Sequence, residues 1–365
     1  MMRTMNNRPQ IERKSMKKAL SIILSIALLV TLIPVTVSAD YADTWKPNTY
    51  TITANATGKL DVYLEHNYHN DSSFSVDVYK RTSSNGSKTL CYNFIVSADG
   101  PSPFKLPTVG CTKGDVFILE ITSYQKVYFK VTYRITPTSS YEKELNNTFQ
   151  TATTIKPNGK ISGNCSDYNI DGEVDYFKVT SPIKGSLTLK FKYNYMNSGW
   201  GWYVSVYKKA ANGSFTTLVN RDTISTKQTS DSITINKVTS GTTYYIKVEW
   251  PYSGNFSAHE YMGTNYTITP VFKYAKPGTP KTSSIKKSKV KFTWKKSSGC
   301  SGYQIQISKK SSFKKNVVNK TKSKNNYSKT LSRKKTYYIR VRSYKTVKGI
   351  KYYSSWSKTK KFKTK

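Results

Sequence analysis

Apolar and polar residues alternate with a period of two through most of this chain beyond residue 40, and that pattern restricts it to β-structure. Leu187-Thr188-Leu189-Lys190-Phe191-Lys192-Tyr193 runs without a break. Tyr203-Val204-Ser205-Val206-Tyr207 and Tyr245-Ile246-Lys247-Val248-Glu249-Trp250 repeat it. Such alternation sends one face of a strand into a core and the other into water, the pattern of antiparallel sheets. Turn residues separate the runs at Ser198-Gly199, Asn212-Gly213 and Ser240-Gly241. No stretch beyond the first 39 residues shows helical periodicity. The expected fold class is all-β, built as tandem antiparallel β-sandwiches.

At 365 residues the chain is too long for one ordinary core. Residues 1–39 read as a signal peptide. A basic stretch (Arg13, Lys14, Lys17, Lys18) precedes an apolar run from Ala19 to Val37. Val37-Ser38-Ala39 then places small residues where a signal peptidase needs them. The alternative is an uncleaved N-terminal anchor, since the apolar run is just long enough to span a bilayer. Two further boundaries stand out, at Thr136-Pro137-Thr138-Ser139-Ser140 and at Lys276-Pro277-Gly278-Thr279-Pro280. They divide the remainder into residues 40–137, 138–273 and 278–365.

The first two modules read as an internal duplication. Gly58-Lys59-Leu60-Asp61-Val62 matches Gly185-Ser186-Leu187-Thr188-Leu189, and Val76-Asp77-Val78-Tyr79-Lys80 matches Val204-Ser205-Val206-Tyr207-Lys208. Later, Lys113 to Glu120 matches Gly241 to Val248, and Tyr133-Arg134-Ile135-Thr136-Pro137 matches Tyr266-Thr267-Ile268-Thr269-Pro270.

In the middle module, Glu142-Lys143-Glu144-Leu145-Asn146-Asn147, Ile161-Ser162-Gly163 and Asp175-Tyr176-Phe177 resemble the bacterial pre-peptidase C-terminal family. These are jelly-roll-like β-sandwiches appended to secreted peptidases and collagenases, where they bind substrate or aid secretion. The first module looks like a divergent copy. Relatives that bind collagen hold calcium through acidic residues. The resemblance implies Glu142, Glu144, Asn146, Asp171 and Asp175 as a Ca2+ set, with Asp167 and Asn147 nearby. Hard oxygen ligands are what calcium requires. The plainer alternative is a solvated acidic turn.

The last module resembles a fibronectin type III domain, in the Lys-rich form of secreted proteins from Gram-positive anaerobes. Val290-Lys291-Phe292-Thr293-Trp294 looks like its second strand, with Trp294 in the core. Gly302 to Ile307 looks like the third strand. Leu331 followed by Tyr337 has the spacing of a tyrosine corner. Its Thr346-Val347-Lys348-Gly349-Ile350 loop carries no Arg-Gly-Asp motif.

Charge separates this module from the others. Lys276 to Lys365 holds twenty-nine Lys or Arg and no Asp or Glu, within a chain of net charge +39. A protective coat usually mixes both signs, so acid-free positive charge points to a polyanion partner. The candidate contacts are Lys289, Lys291, Lys295, Lys296, Lys309, Lys310, Lys314, Lys315, Arg340 and Arg342. Secretion favours an anionic cell-wall polymer such as wall teichoic acid, or an acidic glycan. Specific nucleic-acid recognition is not expected, because no recognition motif is present. Trp200 and Tyr252 form a second candidate, a stacking platform for carbohydrate or a host matrix protein. The alternative there is that Trp202 and Trp250 pack in the core.

Catalysis finds no support. His66, His69 and His259 are the only histidines, and none sits in a hydrolase or zinc signature. His66 and His69 read as surface residues of a loop. Cys91 and Cys111 either pair or, with Cys165 and Cys300, remain thiols. The expected function is a secreted, non-enzymatic binding or adhesion protein. Its basic module would retain it on envelope polymers while the other modules bind carbohydrate or matrix protein. The alternative is an accessory subunit of a separately encoded secreted hydrolase.

Overall fold

The computed structural model describes residues 48–66, 73–82, 86–97, 102–123, 127–164, 174–193, 201–225, 228–249, 265–286, 288–315 and 318–365, and the backbone of 35–42. Asp167, Asp171, Trp200, Trp250, Tyr252, Cys165, His69, His259, the Ser198-Gly199 turn and residues 1–34 lie outside the described residues. The chain is all-β, with antiparallel strands arranged as tandem β-sandwiches.

The first nine strands are β1 (Val35–Ala42), β2 (Asn48–Thr53), β3 (Gly58–His66), β4 (Ser73–Arg81), β5 (Lys88–Ser97), β6 (Phe104–Lys105), β7 (Val109–Cys111), β8 (Val116–Ser123) and β9 (Val127–Pro137). They form one sheet in the order β1-β9-β3-β6, with β7 also on β3, and a second in the order β2-β8-β4-β5. Leu60, Val62 and Leu64 of one sheet and Val76, Val78 and Leu119 of the other share a single core. Strand β1 crosses the expected cleavage point. Cleavage after Ala39 removes the partners of Lys130 to Tyr133 and leaves Asp40 to Ala42 paired with β9.

The next nine are β10 (Thr153–Thr154), β11 (Ile161–Asn164), β12 (Val174–Thr180), β13 (Gly185–Tyr193), β14 (Gly201–Lys209), β15 (Phe215–Ser225), β16 (Ser230–Val238), β17 (Thr243–Glu249) and β18 (Asn265–Tyr274). Their sheets run β10-β12-β17-β14-β15 and β11-β18-β13-β16. The alternating segment Leu187–Tyr193 is buried at every second residue, as its pattern requires. Segments matched between the first two modules hold equivalent places: β9-β3-β6 parallels β18-β13-β16, and β8-β4-β5 parallels β17-β14-β15. Two matched glycines do the same work. A Cβ on Gly58 would lie 2.1 Å from the Thr136 carbonyl oxygen, and one on Gly185 would lie 2.1 Å from that of Lys273. Only glycine allows the neighbouring backbone that close.

The last eight are β19 (Lys281–Lys286), β20 (Lys289–Thr293), β21 (Gly302–Ser308), β22 (Val318–Lys322), β23 (Asn326–Thr330), β24 (Thr336–Val347), β25 (Ile350–Tyr353) and β26 (Lys360–Lys363). Three strands, β19-β20-β23, face β22-β21-β24-β25, with β26 also on β24. Val290, Phe292, Trp294, Ile305, Ile339 and Val341 fill the core between them, with Leu331 and Tyr337 buried beside them. Trp294 packs edge-on against Tyr303 at 5.4 Å.

Packing divides the chain into two compact units. One comprises Met1–Thr153, Ile161–Asp175 and Val248–Tyr266; the other comprises Thr154–Lys160, Tyr176–Lys247 and Thr267–Lys365. In the first, one expectation changes and one open alternative is decided. His66 ends β3 rather than lying on a surface loop; it is buried, with its ring edge-on to Phe74 at 5.6 Å. Cys91 and Cys111 are both buried, and both are thiols rather than a disulfide. Burial pushes the Cys111 thiol up to about 11.

Candidate functional site

Two sites follow from the sequence, one acidic and one basic. The acidic one lies in the first compact unit and is buried, not a solvated turn. Tyr141 bridges to Ser162, and the Glu142 N–H donates to the Ser162 carbonyl at 2.9 Å. The Glu144 N–H donates to the Gly110 carbonyl at 3.3 Å. This backbone pairing draws Glu142, Glu144 and Asn146 inward, where they are buried together with Asp175.

Glu142 is tightly held. Its Oε1 accepts the Asn164 N–H at 2.7 Å, and its Oε2 lies 3.5 Å from the Tyr266 hydroxyl. That hydroxyl also donates to Asp175. Gly163 leaves the room for this carboxylate: a Cβ there would lie 2.3 Å from Oε2. Asn164 donates its side-chain amide to the Thr108 carbonyl at 3.0 Å. Glu144 has a different environment. Burial first, and then the charge of Asp175, push its carboxyl up to about 8, with Lys80 opposing them. Lys80 donates to the Glu144 carbonyl at 2.6 Å and pairs with Asp115 at 2.8 Å.

Asn146 is 0% exposed, and neither polar atom of its side chain has a hydrogen-bond partner among the described residues. A buried amide left unbonded costs free energy. An oxygen-only set of three carboxylates and one open amide matches what a hard cation takes. Among the described residues, however, no three Asp, Glu, His or Cys side chains are arranged to hold a metal ion.

The basic site lies in the second unit. Lys289 and Lys291 point outward from β20, while Lys295, Lys296, Lys309, Lys310, Lys314 and Lys315 lie in or beside loops; all eight are exposed. Arg340 and Arg342 sit elsewhere. They project from β24 on the outer face of the other sheet, opposite Gln306 and Gln304 of β21. Lys289 and Lys291 therefore lie on the outer face of one sheet and the two arginines on that of the other, while Lys309, Lys310, Lys314 and Lys315 lie in the β21–β22 connection, beside the arginine-bearing sheet.

The arginines are half-buried and stacked. The Arg340 guanidinium lies 4.2 Å from the Phe313 ring and 4.5 Å from the Trp356 ring. Arg342 lies 3.9 Å from Tyr353 and 4.6 Å from the same Trp356. Each Nε–H donates to the glutamine across the strand, Arg340 to Gln306 at 2.8 Å and Arg342 to Gln304 at 2.7 Å. Trp356 is placed by its flanking serines. The Ser354 and Ser357 hydroxyls accept the Ser343 and Val341 N–H groups, each at 3.1 Å, so the segment docks along β24 without a regular ladder. Burial holds both guanidiniums below their ordinary range, and Arg340 is lowered further by the charge of Arg342. Sequence reasoning named the arginines but missed Phe313, Trp356 and the two glutamines. The available signal was Gln304-x-Gln306 and Arg340-x-Arg342 at matched strand spacing.

Of the aromatic platform, Trp200 and Tyr252 lie outside the described residues. Trp202 is core, packed edge-on against Tyr193 at 5.3 Å.

No protein family matches this chain, and no curated protein does. Among solved structures it is similar to a β-1,2-glucanase from Parabacteroides distasonis, at 15% identity and a TM-score of 0.21, over 56% of this chain and 30% of the glucanase. It is also similar to a segment of two fibronectin type III domains from chicken tenascin, at 17% identity and 0.24, over 53% of this chain and 98% of that one. A cytokine receptor complex matches at 13% identity and 0.32, over 52% and 96%. The fold assignment rests on the sheets themselves.

Proposed function

We propose that this is a secreted, non-enzymatic binding protein, retained at the cell envelope by its C-terminal module through contacts with an anionic wall polymer. The observation that carries this reading is the exposure of all eight candidate lysines in a module whose sequence holds no carboxylate side chain to neutralise them. Contacts of this kind are delocalised and depend steeply on salt. The arrangement of a three-stranded sheet over a five-stranded one, around a shared core, supports the fibronectin type III reading, and the matched topology of the first two modules supports two related sandwiches that face a carbohydrate or matrix ligand.

The test is retention of the full chain on Gram-positive walls. It should bind walls that carry their anionic polymer at low salt, leave them by about 0.5 M salt, and ignore walls stripped of that polymer. Equal retention on stripped walls would sink the reading.

A calcium ion at the acidic cluster belongs to the same proposal. Glu142, Glu144, Asn146 and Asp175, with Asp171 as the family resemblance implies, would have to draw closer together to hold it, and it would neutralise the buried negative charge. Titration calorimetry should detect Ca2+ binding that Asp175→Asn weakens by at least about tenfold. Heat indistinguishable from dilution would remove calcium from the account.

A further inference from the structure

Five planar groups stack in the order Phe313, Arg340, Trp356, Arg342, Tyr353, and the stack does more than rigidify a sheet. Cation–π contact covers both guanidiniums on both faces. Each Nε–H is already bonded to a glutamine. What remains is the Nη end of each fork, held in a fixed orientation on the outer sheet face. Two residues along a strand separate the pair, which sets them about 7 Å apart. Two permanent like charges this close, with no Asp or Glu anywhere from residue 276 to 365, repel each other, and anionic groups bound at their Nη ends would offset that repulsion.

We propose that Arg340 and Arg342 form a preorganised reader for successive phosphate groups of a linear phosphodiester polymer. The inference rests on the polyanion reading above and narrows it to one ligand chemistry and one face. A guanidinium fork matches phosphate oxygens in shape, whereas an ammonium contributes a point charge. Fixing both forks before binding removes the entropy of ordering two long side chains. Across the strand lie Asn319 and Thr321, facing Gln306 and Gln304 on β22. They add neutral hydrogen-bonding groups on one side, while Lys361 and Lys363 of β26, opposite Tyr338 and Thr336, add flexible positive charge to the same outer face. Lysines on the opposite sheet raise the local concentration of any polyanion, but their flexible ends select no spacing.

The experiment is titration of the full chain with poly(glycerol phosphate), with polyglutamate of equal charge as competitor, across a salt series. Wild type should prefer the phosphodiester polymer by about tenfold. The double variant Arg340→Lys and Arg342→Lys keeps the charge, so its salt slope should stay the same while that preference disappears. Lys289→Gln with Lys291→Gln should lower the salt slope and leave the preference intact. Should the Lys variants disturb the stack, Gln304→Glu with Gln306→Glu gives a second route. Those carboxylates satisfy both forks internally, keep the face folded, and should abolish the preference. Equal affinity of wild type for both polymers, or a preference that survives either arginine-face variant, overturns the reader while leaving the polyanion anchor standing. Absence of binding to both polymers overturns the two together.

Discussion

Asp61→Ala should destabilise the first sandwich by about 3 kcal/mol. Asp61 is 0% exposed on β3, on the face turned away from the apolar core. Thr108 donates to its Oδ1 at 2.7 Å. Lys105, Lys59 and Arg134 surround it at 2.8, 3.6 and 3.7 Å. Removing one member of a buried ion pair costs about 3–5 kcal/mol, because the other charge is left uncompensated. Here the cations are 34–43% exposed and can turn back to water, so the lower end applies. Cys91 and Cys111 belong to the same core and report its opening. Maleimide should label them about a hundredfold faster in the variant under conditions where labelling follows local unfolding. Labelling at the wild-type rate would mean the network contributes nothing net.

The same residue fixes a pH response. Burial pushes its carboxyl up, but Lys105, Thr108 and Lys59 outweigh this and hold it below the ordinary 3.8. Its contribution is therefore complete above about pH 4 and lost as pH falls through the lowered value. Glu144 acts in the opposite sense. Its carboxyl is raised from 4.5 to about 8, so the folded state binds that proton more tightly, and stability falls as pH rises across that interval. In chelator the labelling rate, divided at each pH by that of the unfolded chain to remove the titration of the thiol itself, should pass through a minimum near pH 4–5, and Glu144→Gln should flatten only the alkaline limb.

Gly110→Ala should be the more damaging glycine change, costing about 3 kcal/mol or more. The added Cβ would lie 2.0 Å from the Glu142 carbonyl oxygen and 2.7 Å from its carbon. Both are backbone atoms of the segment that carries the acidic cluster, and no rotamer change relieves the contact. The Tyr141–Asn146 segment must move off β7, and Glu144 then loses its backbone bond to Gly110. Gly213→Ala is the control. Nothing lies within 4 Å of its Cβ, and only its φ of +86° is unfavourable, so it should cost about 1 kcal/mol. Chemical denaturation of the two variants checks the ordering. Equal costs would show that the β7 contact gives way freely.

Much of the architecture was legible because alternation is a local property. Leu187–Tyr193 announces its buried and wet faces from its own residues, and so do Val290 and Phe292. Trp294 reads as core for the same reason. The acid-free charge of residues 276–365 is likewise written in the chain. What could not be read is which strands lie side by side. His66 looked like a loop residue because nothing local shows that β3 continues through it, or that Phe74 packs against its ring. Glu142 and Glu144 could be named as a pair. Their burial depends on Ser162 and Gly110, residues 20 and 34 positions away in the chain, which bind their backbone. Arg340 and Arg342 read as two more surface charges until the register of β21 with β24 set glutamines opposite them and Trp356 came to rest between them. The sequence alone determined an all-β chain with a strongly basic end, since period and composition need no partner. Tertiary structure alone decided which charges are buried, paired or stacked, since those energies depend on neighbours that only strand register brings together.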